Sequence, residues 1–351
     1  MYSEQDLRDA VAGGAITAES ADAFRTHVAQ MRRMPVTDEE NFRLVNSFND
    51  IFVTIAAVLL LVAMGGIGTA IVPGLAGLLV AAAAWFMAEF FTKRRRMALP
   101  SIVLMLAFVG GLVAAPIEIL SESNVDDNAR MMGALVAASF LAGAIGAWLH
   151  WKRFMVPITI AAISATTAAA VIATVVTAIM PAEGTSPEYI LLPLVFAAGI
   201  AIFAFAMRWD MSDRERQTRR SDVAFWLHLL AAPMIAHPLF HWLGINDGST
   251  IGAGGALLVL GAYLLFGLVA LAIDRRALLV SALAYVIVAL TGLFEQNGMV
   301  ELSVALTALV IGSALLMLSA FWPAIRSVVV DKLPGELQQR LPVAGTLAPS
   351  A

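Results

Sequence analysis

The chain contains no cysteine and few charges. Absence of cysteine excludes disulfides, thiolate metal sites and cysteine nucleophiles at once. Only 14% of its 351 residues are Asp, Glu, Lys or Arg, against about a quarter in a soluble domain. Basic runs are equally scarce. The longest is Lys93-Arg94-Arg95-Arg96, and it borders an apolar stretch, so no nucleic-acid partner is expected. Missing too are a phosphate-binding glycine loop, a dinucleotide fingerprint, a His-Glu-x-x-His metal motif and a Gly-x-Ser-x-Gly elbow. These gaps exclude the commonest nucleotide-driven and hydrolytic chemistries, and no cofactor is expected.

What remains is apolar. Hydrophobic residues make up 60% of the chain and the mean hydropathy is +0.83. Ten segments are each near the ~20 residues that a helix needs to cross a bilayer. They fall at roughly 51–69, 72–92, 100–120, 131–150, 154–179, 189–207, 223–244, 251–272, 277–296 and 300–322. The expected fold is therefore all-α, a polytopic membrane helix bundle of about ten transmembrane helices.

Charge distribution supports this count. With ten spans, 21 of the 22 Lys and Arg residues fall on one side. They lie before the first span, after each even-numbered span and in the tail; Arg130 is the exception. Positive charge held on the cytoplasmic side sets orientation during insertion. The reading is N-in and C-in, in the cell inner membrane, with the lipid bilayer as principal partner.

Residues 1–50 are mostly polar and do not read as a signal peptide. They read as a small cytoplasmic head. Ser3-Glu4-Gln5-Asp6 opens one helix, Gly13-Gly14 ends it, and Thr17-Ala18-Glu19-Ser20 opens a second that runs to about Arg33. Leu7, Val11, Ile16, Ala21, Phe24 and Val28 close the pair into a helical hairpin. Thr37-Asp38-Glu39-Glu40 has the form of a capping box, followed by a helix through Phe42, Val45 and Phe48 into the membrane. The domains are thus a head at 1–50, a ten-span domain at 51–322 and a tail at 323–351. Val328 to Leu341 in the tail reads as one amphipathic helix on the inner leaflet.

Within the head, Gly14-Ala15-Ile16-Thr17-Ala18-Glu19-Ser20-Ala21 resembles the "Gly-x-Ile-Ser/Thr-x-Glu-x-Ala" turn of a group of uncharacterised bacterial multi-pass membrane proteins. In these a short helical hairpin precedes eight to ten spans. Phe42 to Phe52 also looks family-like. The family carries no established activity, so the resemblance implies a bacterial cytoplasmic membrane and no site residues.

Candidate chemistry sits in the spans, where ionisable groups are costly and point to function. The seventh span carries His228, His237 and His241 with Pro233 and Pro238. His237 and His241 are four apart and share a helix face; a metal or a proton relay would suit them, and the structural reading is that His241 sits at the outer interface while His228 and His237 bond to neighbouring helices. Glu118, Glu295 and Glu301 lie near outer span ends and could join them in one outward polar site. Glu89 is expected to pair with the basic turn next to it, and the loop from Arg208 to Asp222 to be helical or solvated. Gly65 to Gly68 reads as close helix packing, with a broken helix as the other reading. A similar layout recurs around Trp85–Arg96, Gly146–Arg153 and Leu271–Arg276: small residues, a basic turn, then a rising apolar span. Any membrane hairpin with positive charge held inside has this layout; duplication of a two-helix unit is the other reading.

Three functions stay open: a secondary transporter or permease of a small solute, a membrane scaffold or sensor binding a cytoplasmic protein partner through head and tail, and an intramembrane metalloenzyme. Reporter fusions test the orientation. Alkaline phosphatase joined after residue 125 or 184 is expected to be active, and after residue 96 or 276 inactive; the reverse pattern would invert the topology.

Overall fold

The computed structural model describes residues 4–32, 48–121, 129–179, 188–214, 216, 218–244 and 253–342. The capping box at Thr37 and the helix through Phe42 and Val45 lie outside them. The chain divides into two units, Met1–Asn41 with Ala344–Ala351, and Phe42–Val343.

The first unit is a helical hairpin, α1 (Glu4–Ala12) and α2 (Ala18–Arg32). Its turn follows the expected chemistry. Gly14 has φ +70, the amide of Ala15 donates to the carbonyl of Ala10 at 2.8 Å, and that of Gly14 to Val11 at 3.0 Å. This is the double closure of a glycine-ended helix, which an L side chain at that φ would strain. Thr17 caps α2, its hydroxyl accepting from the amide of Ser20 at 3.1 Å. Leu7 and Ala21 are buried while Phe24 stays exposed, so the hairpin closes on a smaller core than its apolar residues predict.

The second unit is all helix among the described residues. Its spans are α3 (Phe48–Ile71), α4 (Leu75–Ala88, continued by a wider π turn over Glu89–Arg94), α5 (Ala98–Ser121), α6 (Ala129–Phe154) and α7 (Ile158–Ile179). The series continues with α8 (Glu188–Met211), α9 (Arg219–Trp242), α10 (Ala253–Ile273), α11 (Ala277–Gln296) and α12 (Ser303–Ala320). All ten are long and apolar enough to cross a membrane. Two short helices follow, α13 (Trp322–Asp331) and α14 (Gly335–Gln338). Pro334 separates them, since it has no N–H to continue a helix. The single amphipathic tail helix expected from sequence is therefore two. α3 runs unbroken through Gly65 to Gly68.

Consecutive spans pack as hairpins, and two buried clusters result. One joins α3 to α7 through Leu61, Ala84, Leu104, Met105, Phe108 and Ala147. The other joins α8 to α13 through Leu227, Ala231, Phe240, Val259, Ala282 and Trp322, with Ala161 of α7. Trp226 of α9 packs against both, so α7 and α9 form the seam. α9 is the most enclosed span, with 56% of its apolar window buried against 39% or less elsewhere.

Small residues allow the closest approach. A Cβ on Gly77 of α4 would lie 2.5 Å from the carbonyl oxygen of Gly111 on α5, and one on Gly111 would lie 2.4 Å from that of Gly77. The two backbones touch where any side chain would intrude, which lets dispersion replace the missing hydrophobic drive between helices in lipid.

The turns follow a rule of their own. Arg96, Met155, Arg216 and Asp274 are the non-glycine residues with positive φ among the described residues, at 52° to 58°. One sits in each turn after α4, α6, α8 and α10, where the basic residues gather. The turns that carry Gly74, Gly244 and Gly298 at positive φ follow α3, α9 and α11, at the opposite end. A left-handed non-glycine residue costs roughly 1–2 kcal/mol. Four such residues lie at one end, each two or three positions before the next helix. We expect Gly77→Leu to destabilise the bundle by about 1–3 kcal/mol through overpacking, read as a lower melting temperature in detergent. An unchanged melting temperature would contradict the contact.

Candidate functional site

Charges inside the bundle concentrate at the basic end of the second half. Asp210, in the last turn of α8, has no exposed surface. Its Oδ1 accepts from an Nη of Arg275 at 2.7 Å, and its Oδ2 lies 2.9 Å from Nε2 of His228. The Nε of Arg275 approaches the same Oδ2 at 3.5 Å, and its Nη also donates to the backbone carbonyl of Ser221 at 3.1 Å. His228 and Arg275 are 1% and 2% exposed. One carboxylate thus ties α8, α9 and the α10–α11 turn together.

A second layer lies beside it. Asp274, at φ 58°, accepts from Nη1 of Arg216 at 2.9 Å through Oδ2 and from the indole N–H of Trp322 at 2.8 Å through Oδ1. Arg216 is itself left-handed and also donates to the carbonyl of Asp274. The strained residues of two turns are therefore bonded to each other, a place where backbone strain and side-chain function coincide. Burial pushes the Arg216 guanidinium below its ordinary value and Arg275 pushes the same way, while Asp274 and Asp210 oppose them. The tail closes this layer. Arg326 of α13 lies 3.5 Å from Asp274 and donates to the carbonyl of Pro342 at 2.8 Å, and Arg214 donates to the carbonyl of Leu341 at 2.9 Å. Asp213 accepts from the amide and hydroxyl of Thr218 at 2.9 and 2.7 Å, holding the start of α9.

The segment from Arg208 to Asp222 is helical at both ends, and its described residues are partly exposed and partly buried. Asp210, Asp213 and Ser221 within it are buried. Burial wins because each charge has a partner; removing one partner leaves a buried charge uncompensated.

The residues singled out in the sequence are distributed otherwise. His228 joins Asp210 at the basic end. His237 and His241 keep the shared face that their spacing predicts, with ring centroids 6.4 Å apart. His237 is on the exposed side of α9 and shares a 2.7 Å hydrogen bond between its Nδ1 and the Tyr285 hydroxyl. His241 lies 3.9 Å from Glu188. Glu118 accepts from the amide of Gly77 at 3.4 Å, and Glu295 accepts from the Ser303 hydroxyl at 3.4 Å. Glu301 is exposed in a short 3-10 turn over Val300–Leu302. The three carboxylates accordingly engage α4, the start of α12 and solvent-facing turn, and His228 is drawn away from its two neighbours. Among the described residues no group of three or more His, Asp or Glu is placed to hold a metal ion. Glu89 pairs with Arg153 of the next basic turn, at 2.7 and 2.9 Å, rather than with its own.

The sequence contained a signal for the missed residues. Asp210 lies only three residues beyond a continuous apolar run, and Asp274 stands directly before Arg275. Both were masked by the basic residues around them, which orientation alone explains. A further buried histidine, His150, is enclosed by Trp85, Phe108 and Phe154, with Nδ1 3.3 Å from the Thr159 hydroxyl. An apolar groove of about 570 Å³ runs along α5, α6 and α7, lined by Val109, Val113, Phe140 and Thr166, with Glu118 at its margin.

The fold and these contacts define an all-α, multi-pass membrane protein with a buried ionic cluster at one end. No family model, no curated protein and no solved structure matches the chain. Asp210→Ala is expected to cost about 3–5 kcal/mol, as for a buried pair left with one charge. Arg275→Ala should cost a similar amount, and the double variant less than the sum. Unfolding in mixed micelles reads all three, and full additivity would show that the pair is not coupled.

Proposed function

We propose that the protein is a secondary transporter of a small solute, and that the Asp210–His228–Arg275 cluster is the closure of its basic end. The observation that carries this reading is the complete burial of an acid, an imidazole and a guanidinium where three helical segments meet. Replacing a buried ion pair with apolar residues of like volume is often neutral or stabilising, so mere cohesion would not require it. Ionisable groups within membrane spans by default mark pathways and moving parts. A carboxylate shared by α8, α9 and the α10–α11 turn suits an element that must open and close, because breaking one set of bonds frees three segments together.

The recurrence of a left-handed residue in the turns after α4, α6, α8 and α10 and the seam at α7 and α9 support the same reading, since transporters move one group of helices against another. The charge sorting of the turns supports a basic end that faces the cytoplasm, and the resemblance of the head supports a bacterial inner membrane.

The test is uptake into proteoliposomes, measured by mass spectrometry over a panel of amino acids, nucleobases, sugars, carboxylates and inorganic ions. Uptake of at least one class is expected. Asp210→Asn, which keeps shape and removes charge, should lower it about tenfold or more if the cluster gates the path. No uptake across the panel by monodisperse protein would reject transport in favour of a scaffold that binds a partner.

A further inference from the structure

The two nitrogens of His228 differ in a way that goes beyond closure. Nε2 faces the Asp210 carboxylate at 2.9 Å, and a carboxylate can only accept, so Nε2 carries the proton and donates. Nδ1 then holds the lone pair. It is buried and makes no hydrogen bond among the described residues. The ring is held edge-on by Phe203, with centroids 5.1 Å apart, so it does not turn freely to exchange the two nitrogens. A buried imidazole whose orientation is fixed and whose basic nitrogen is bare is a base awaiting a proton.

We propose that Nδ1 of His228 is a proton-binding site, and that the proton is the ion that drives opening of the basic end. The step balances simply. A proton adds to the Nδ1 lone pair and the neutral imidazole becomes imidazolium; release reverses it. Nothing is oxidised and no other bond breaks.

The consequence follows from the sharing of one carboxylate. With His228 neutral, Asp210 is satisfied chiefly by Arg275, and the α10–α11 turn is held to α8. With His228 charged, two cations compete for Asp210 within a buried volume. The imidazolium strengthens its own bond to Oδ2 and displaces the 3.5 Å contact of the Arg275 Nε there, and its charge opposes the guanidinium that remains on Oδ1 at 2.7 Å. Other groups around the site do not cancel this. Arg216 from the α8–α9 loop and Arg326 from α13 add positive charge, and each already engages Asp274. Asp213 is engaged by Thr218. On α9 itself Ser221 is neutral, and its carbonyl and hydroxyl both accept from Arg275, while Asp222 is the remaining acid of that turn. Protonation therefore loosens the tie between Arg275 and Asp210, the contact that closes the end. His237 and His241 lie further along α9, more than about 13 Å from His228 by helical rise, and take no part in the binding step.

This inference rests on the transport reading for its purpose but is tested without a solute. Proteoliposomes on a solid-supported membrane receive a jump from about pH 8 to about pH 4.5, which passes well below the free histidine value, and the displaced charge is recorded. Wild-type protein is expected to give a transient current. His228→Gln should lose it, while the His237→Gln/His241→Gln double variant should keep it. Arg275→Gln, which removes the competing cation, should raise the pH midpoint of the displaced charge; this readout stands if His228→Gln does not fold. No current from the wild type, a current retained in folded His228→Gln, its loss in the double variant, or an unmoved midpoint in Arg275→Gln would each overturn the proposal. Solute uptake that persists without any proton current would sink this inference and leave transport standing. A proton current with no solute uptake would do the opposite.

Discussion

The second half of this bundle depends on one carboxylate. Asp210 sits where α8 ends, α9 passes and α10 turns into α11, and it is the acceptor that all three approach. A buried acid is costly on its own, and so is a buried guanidinium. Together they are tolerable only in this geometry, which is why the positions of three backbone segments are fixed relative to one another by a few polar atoms. The neighbouring Asp274 repeats the arrangement with Arg216 and Trp322, and brings the tail into the same network. Helix packing in lipid has little hydrophobic preference for one arrangement over another. Polar contacts of this kind supply the preference.

The first half is built differently. Glycine backbones of α4 and α5 meet in it, and Glu89 with Arg153, an ion pair across its turns among the described residues, is at least partly open to solvent. The corresponding elements nonetheless echo each other. In both halves a carboxylate late in an even-numbered span meets an arginine of the basic turn two spans on. Left-handed residues mark the same four turns. One version is exposed and the other buried, and burial is what turns a surface ion pair of small energetic weight into a constraint.

The proposed function rests on that difference. An exposed pair at a membrane face can break and reform without consequence. A buried one changes state only if helices move or a proton arrives. His228 places a titratable ring against the buried acid, where protonation and helix attachment become a single event. His237 and His241 have no such leverage, since His237 is exposed and its partner is a tyrosine.

Much of the fold was legible in the sequence. Ten apolar runs, the Gly14 and Thr17 stops and starts of the head hairpin, and the one-sided basic turns all arise from local chemistry: hydropathy over about 20 residues, φ at a glycine, a hydroxyl at a cap. These need no knowledge of neighbours. The site was legible only in fragments. His228 stood out as a histidine inside a span, but its partner did not, because an acid among arginines at a span end reads as part of a solvated loop. The grouping of His237, His241, Glu118, Glu295 and Glu301 came from a shared end of the membrane; the tertiary structure keeps His237 beside His241 and gives Glu118 and Glu295 partners of their own. Which helices adjoin, which of several arginines reaches inward, and which carboxylate is buried are decided by packing between segments far apart in the chain. Arg275 is 65 residues from Asp210. Hydropathy fixes which segments cross; only the packing of those segments, where small residues permit approach and charges require partners, decides which of them meet.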